Sequence, residues 1–200
     1  MVIASHVIFG AYGFWLPNDP RGSWSDFVGA WDLFRYGDAT KTAERISVAY
    51  KPHNEAARLA AKTALKRPPV EFTGVQARAV ALGFAEYARR SSLTILACAI
   101  LPDHAHLVLG RHHREVEKLV IQLKGAATRR LVAEGLHPFG NQRDEHGRPP
   151  KCFARGEWKV FLDSPEDIAR AIRYVEDNPG KEGKPRQRWT FVVPFDPRYV

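Results

Sequence analysis

Residues 93–110 read LTILACAILPDHAHLVLG, and the fold turns on how this stretch is parsed. The apolar run from Leu93 to Leu101 predicts a buried strand, since a membrane-spanning helix needs ~20 such residues. Pro102-Asp103 is a turn dipeptide, and His104 to Gly110 resumes as a second strand, so the two form a hairpin. Side chains two apart on a strand share a face, so His104 and His106 look one way and Ala105 the other.

Working outward, Val2 to Gly10 is rich in β-branched and aromatic residues and ends at glycine, which predicts a first, mostly buried strand. Residues 15–69 break that pattern. Leu16-Pro17-Asn18-Asp19-Pro20-Arg21-Gly22 is turn chemistry, Trp24, Trp31 and Phe34 suggest a small satellite core, and Asn54 to Ala64 has helical composition before Pro68-Pro69. This segment reads as an insertion. Thr73 to Arg90 predicts a helix with Thr73 as its cap. Beyond the hairpin, Val116, Leu119, Val120, Leu123, Ala127 and Leu131 recur at helical spacing, predicting a helix from Glu115 to Ala133. Trp158 to Leu162 reads as a last strand. Ser164-Pro165-Glu166-Asp167 opens a helix expected to end near Asp177, with Asn178-Pro179-Gly180 closing it.

Strand-helix-strand-strand-helix-strand is the ferredoxin-like α+β plan, an antiparallel sheet with helices on one face and here an extra C-terminal helix. In that plan the first and third strands lie side by side at the sheet centre. The 200 residues suit one domain, 1–200, with a tail over 180–200. Composition narrows the function. Thirty Lys and Arg against 22 Asp and Glu give a net charge of +8 and a pI of about 9.7, which favours a polyanionic partner. Hydrophobic residues at 44% and charged residues at 26% exclude a disordered or collagen-like chain. Two cysteines, Cys98 and Cys152, make neither a disulfide framework nor a cysteine zinc site and fit a reducing cytosol. The opening residues do not read as a secretory signal, and no membrane association is expected.

Two neutral imidazoles on one strand face can bind one divalent cation and leave positions open for a phosphate oxygen. On the last helix Tyr174 and Asn178 are four apart and share a face, with Arg170 one turn earlier and Arg173 beside it. A phenol attacks poorly near its ordinary pKa of ~10, so neighbouring positive charge or a polarised phosphate is what would activate it. Asn178 offers an amide oxygen to a hard cation, and also reads as the helix cap before Pro179. His6 alternates with apolar neighbours on the first strand, either near the cation or as a structural histidine. His112-His113 read as surface or backbone-contacting residues.

Pro102-Asp103-His104-Ala105-His106-Leu107-Val108, a helix with Lys124 in its middle, and Tyr174-Val175-Glu176-Asp177-Asn178-Pro179 together resemble the signature of the single-tyrosine HUH transposases. The likeness is to the REP-associated tyrosine transposases and their insertion-sequence-200-like relatives. The opening His6-Val7-Ile8-Phe9-Gly10 with Trp15-Leu16 and Asp19-Pro20-Arg21-Gly22 is similar too. Ala105 departs from the usual bulky residue between the histidines, and 15–69 does not align. The resemblance implies a metal-dependent enzyme that cuts and rejoins hairpin-bearing single-stranded DNA. It implies Tyr174 as the nucleophile that leaves a 5′-phosphotyrosine bond, His104, His106 and Asn178 as ligands of Mg²⁺ or Mn²⁺, and a bacterial, cytoplasmic, nucleoid-associated monomer or homodimer.

Lys124, Arg129, Arg130, Arg155, Arg170, Arg173 and Arg21 are the candidate DNA contacts, either to phosphates or as solvated surface. In the tail, Trp189 could stack on a base, whereas Phe191 and Phe195 are expected to staple the tail to the core. A second reading keeps the fold and charge without cutting, as a domesticated transposase that binds structured DNA or RNA. A third is another metal-dependent phosphodiesterase for which Tyr174 is dispensable.

Overall fold

The structure is a computed structural model that describes residues 2–19, 31–37 and 53–197. Its elements are β1 (Ala4–Gly10), α1 (Trp31–Phe34), α2 (Glu55–Thr63), α3 (Gly74–Ser91), β2 (Ile95–Ile100), β3 (His104–Gly110), α4 (Val116–Ala133), β4 (Trp158–Leu162) and α5 (Pro165–Lys181). The strands form one antiparallel sheet in the order β2-β3-β1-β4, so β1 and β3 are central as the ferredoxin-like plan requires. β2 is apolar and buried throughout, and β3 is buried at every residue but Gly110, because both sheet faces are covered there.

Alternation along the strands sorts the two faces. Val7, Phe9, Ala105, Leu107 and Leu109 pack with Phe84, Leu119 and Leu123 of α3 and α4 in the larger core. Ala4, Ala97, Ala99 and Val108 meet Ile168, Ala171 and Val175 of α5 in a second core on the opposite face. The extra helix therefore lies across the sheet from the other two. It covers the face onto which the period-2 rule directs His6, His104 and His106.

Local chemistry fixes the helix starts. Thr73 and Gln76 make a reciprocal capping box, in which the Thr73 hydroxyl accepts from Gln76 N–H and Gln76 Oε1 accepts from Thr73 N–H at 2.9 Å. Ser164 Oγ accepts from Asp167 N–H at 3.1 Å, and Pro165 occupies the first turn of α5. Gly83 lets α3 and α4 approach closely, since a Cβ there would stand 2.6 Å from Ala127 Cα.

Three expectations are corrected. First, α5 does not stop near Asp177 but runs through Pro179 to Lys181, so Asn178 is a helical residue and not a cap. Burial of Val175, Asn178 and Pro179 against the sheet holds the last turn despite the carbonyl that proline leaves unpaired. Second, the satellite core consists of Leu16, Leu33 and Ala61 with Tyr36, Ala64 and Leu65 around them, while Phe34 is exposed. Trp24 and the side chain of Trp31 lie outside the described residues. Third, the tail pairs with an edge strand as well as packing on it. The Gln187 amide donates to Ile100 C=O at 2.7 Å and accepts from Ile100 N–H at 2.8 Å, and Val193 N–H donates to Ile95 C=O, which covers the β2 edge. Trp189, Phe191 and Phe195 are partly buried against the two cores, the stapling role expected of the phenylalanines. Among the described residues no helix is long and apolar enough to cross a membrane.

Candidate active site

His104 and His106 stand on one face of β3, both buried, with ring centroids 4.8 Å apart. Each ring nitrogen turned into the protein has a neighbour. His104 Nδ1 lies 2.6 Å from Asp103 Oδ1, so Nδ1–H donates to the carboxylate, which fixes the ring with Nε2 turned away from Asp103. The Asn178 amide sits 2.7 Å from His106 Nε2, and His106 Nδ1 faces His6 Nε2 at 3.4 Å. On the other side of His104, the Phe14 ring packs at 4.7 Å between centroids. That contact requires Gly10, whose Cβ would fall 2.6 Å from Phe14 Cβ.

Tyr174 reaches the same place from α5. Its ring centroid is 5.7 Å from that of His106 and 5.6 Å from that of His6, edge-on in both cases, and the side chain is 44% exposed. Lys181, two turns further along the helix, holds its ammonium 4.3 Å from the centre of the Tyr174 ring. The pair expected on β3 and the pair expected on α5 thus converge within one chain. Residues 72 apart in sequence meet because α5 lies over the centre of the sheet.

The electrostatics are those of a partly desolvated cationic pocket. Burial lowers the His6 pKa to about 4. Burial also holds His106 well below the ordinary range, reinforced by the Lys181 ammonium and by the repulsion that His104 and His6 would exert on a second protonated imidazole. Both imidazoles are therefore neutral near pH 7, the state in which a nitrogen can donate a lone pair. Burial raises the Tyr174 phenol, so the proton stays on until negative charge on the oxygen is stabilised.

By donor type the residues fit a hard divalent cation: two neutral imidazoles and an amide whose oxygen and nitrogen exchange by a half-turn. Among the described residues no three His, Cys, Asp or Glu side chains form a metal-holding group, and the Asn178 amide beside His106 Nε2 is the further donor at the histidine pair. His104, His106 and Asn178 would hold the ion.

The basic residues divide. Arg170 and Arg173 are exposed on α5 beside Tyr174, with Arg170 paired to Asp167. Arg155 is exposed and follows Ala154, whose N–H donates to Gly10 C=O at the sheet end that carries His104. Arg129 and Arg130 belong to α4 across the sheet, and Arg130 pairs with Glu134 at 2.5 Å. Lys124 turns inward, donating to Ala154 C=O at 3.0 Å and Gly156 C=O at 2.6 Å above the Phe9 ring. Burial lowers its pKa to about 8, against the pull of Glu157. It ties α4 to the segment before β4. Arg21 lies outside the described residues. His112 accepts no role here, its Nε2 facing Ser91 C=O at 2.9 Å.

Sequence reasoning missed Phe14 and Lys181. The signal for Lys181 is its spacing of seven from Tyr174, legible only once α5 is extended beyond Pro179. Phe14 carries no sequence signal, because its contact with His104 depends on how the chain turns after Gly10.

No protein-family model matches this sequence, and no curated protein does. Among solved structures the chain is similar to a REP-associated tyrosine transposase bound to a REP hairpin, at 12% identity and a TM-score of 0.49 over 94% of this chain and 74% of that one. It is similar also to a protein from Deinococcus radiodurans R1 designated a transposase, at 15% identity and a TM-score of 0.40 over 88% of this chain and 91% of the other.

Proposed function

We propose that this chain is a metal-dependent single-tyrosine HUH transposase that cuts and rejoins hairpin-bearing single-stranded DNA. The observation that carries the reading is the convergence of Tyr174 and Asn178 with His104 and His106 in one pocket, the Tyr174 ring 5.7 Å from that of His106.

A bound Mg²⁺ or Mn²⁺ supplies Lewis-acid polarisation of the scissile phosphate. The chain's own residues do the rest. Tyr174 Oη attacks the phosphorus, the bond to the 3′ oxygen breaks, and the products are a 5′-phosphotyrosine and a free 3′-hydroxyl. The phenolic proton passes to solvent water as the O–P bond forms, the departing 3′ oxygen takes up a proton from water, and the Lys181 ammonium beside the ring stabilises the negative charge developing on the phenol. At 44% exposure the Tyr174 side chain is open to an incoming strand. Attack by the 3′-hydroxyl of a second strand on the phosphotyrosine reverses the step and rejoins DNA. Arg170 and Arg173, exposed on the helix that carries Tyr174, and Arg155, exposed near the sheet end that carries His104, are the cations proposed to neutralise the DNA backbone.

The test is a denaturing-gel assay with an end-labelled, hairpin-bearing single strand and Mn²⁺. Wild type should release a product with a free 3′-hydroxyl and retain on protein the fragment that carries the 5′-phosphate, while Tyr174→Phe binds the same strand and cuts nothing. Cleavage by Tyr174→Phe at the wild-type rate favours a hydrolytic phosphodiesterase instead, and binding without cleavage by wild type favours a domesticated, non-cutting protein.

A further inference from the structure

One buried polar side chain at this site has no part in the steps above. His6 is 6% exposed and sits on β1, one residue pair along from Ile8, which is in register with His106. Its ring stacks on that of His106 at 5.6 Å between centroids and 24° between planes. Edge contacts with Trp158 at 5.3 Å and Tyr174 at 5.6 Å leave it little freedom to turn.

The two nitrogens of His106 look in opposite directions. Nε2 meets the Asn178 amide at 2.7 Å and Nδ1 meets His6 Nε2 at 3.4 Å. A neutral imidazole carries one proton, so a lone pair at Nε2 requires the proton at Nδ1. A buried N–H needs an acceptor, and His6 Nε2 is the atom that Nδ1 faces. Across the pocket Asp103 Oδ1 performs that office for His104 Nδ1 at 2.6 Å. His6 turns its Nε2 to the Nδ1 side of His106, opposite the nitrogen that meets Asn178.

We propose that His6 is a positioning residue: its Nε2 accepts the Nδ1–H of His106, which fixes the tautomer and ring plane that present His106 Nε2 and the Asn178 amide to a divalent cation. This rests on the metal-dependent reading above and extends it to a residue on another strand. Partners of this kind typically change metal affinity by about 10–100-fold when removed.

The test uses the full chain with Mn²⁺ alone, titrated calorimetrically, in wild type, His6→Phe and His6→Gln. Phenylalanine keeps the ring packing and removes the acceptor, and glutamine returns an acceptor oxygen. The expected result is Mn²⁺ affinity about 10–100-fold weaker in His6→Phe, recovered at least in part by His6→Gln, with the three proteins sharing one far-UV spectrum. Affinity in His6→Phe within threefold of wild type overturns the proposal, as does equal loss in both variants. Long-range ¹H–¹⁵N correlation spectra of metal-free wild type supply a readout that needs no variant: His106 protonated at Nδ1 is expected, and protonation at Nε2 refutes the role. Wild type that binds no Mn²⁺ at all removes the metal-dependent reading itself, a different failure from a normal wild type with an indifferent His6→Phe.

Discussion

Acid should loosen this protein by an amount that His6 largely sets. Burial takes the His6 pKa from 6.5 to about 4 in the folded chain, while the unfolded chain keeps the ordinary value. Between those two values the unfolded state binds a proton that the native state refuses, so stability rises with pH across the window and falls on acidification. Each tenfold change in proton affinity is about 1.4 kcal/mol, so carrying the chain from pH 7 to pH 4 removes about 3 kcal/mol through this one imidazole. That is a large share of the ~5–15 kcal/mol typical of a domain. His106 is lowered in the same direction and steepens the loss, and because His6 is one of the groups that lower it, the difference between wild type and His6→Phe reads His6 together with its effect on His106. The assay is urea unfolding of metal-free protein at several pH values between 7 and 4. Wild type should lose about 3 kcal/mol more than His6→Phe over that range. Parallel curves for the two proteins would mean that His6 is protonated or solvated in the native state, and the reasoning from its burial would fail.

The remaining outcomes follow from single contacts. Gly10→Ala drives a methyl group into Phe14, displaces that ring from His104 and should lower stability by about 1–3 kcal/mol, read as a drop in urea midpoint together with weaker Mn²⁺ binding. Ser164→Ala removes the cap of α5 and should cost about 1 kcal/mol, seen as faster amide exchange over the first turns of the helix that carries Tyr174. Arg173→Ala and Arg155→Ala should each reduce the slope of log affinity against log salt for single-stranded DNA by about 0.7, measured by fluorescence anisotropy with every strand sequence affected alike.

Sequence made the sheet legible because its signals are local. The apolar run before Pro102-Asp103 can only be a buried strand beside a turn, and period 2 then places His104 and His106 on one face without any coordinates. The capping pairs Thr73 with Gln76 and Ser164 with Asp167 lie within one turn of chain, so helix starts were readable. The end of α5 was not. Pro179 reads as a stop because it lacks an N–H, yet burial of Asn178 and Pro179 on the sheet outweighs one lost hydrogen bond and carries the helix to Lys181. That difference hid the Lys181 ammonium above the Tyr174 ring. Lys124 was read as a surface cation because sequence says nothing about which carbonyls will surround an ammonium, and two of them, at Ala154 and Gly156, are 30 and 32 residues away. The pairing of Gln187 with Ile100 spans 87 residues and leaves no periodic trace.

Covalent chemistry at one phenol is the central claim, and a peptide map tests it most directly. Full-length protein incubated with Mn²⁺ and a hairpin-bearing single strand, then digested with nuclease and protease, should yield a peptide carrying a nucleotide 5′-phosphate on Tyr174 and on no other residue. A stable adduct elsewhere, or cleaved DNA with every tyrosine peptide unmodified, would contradict the account.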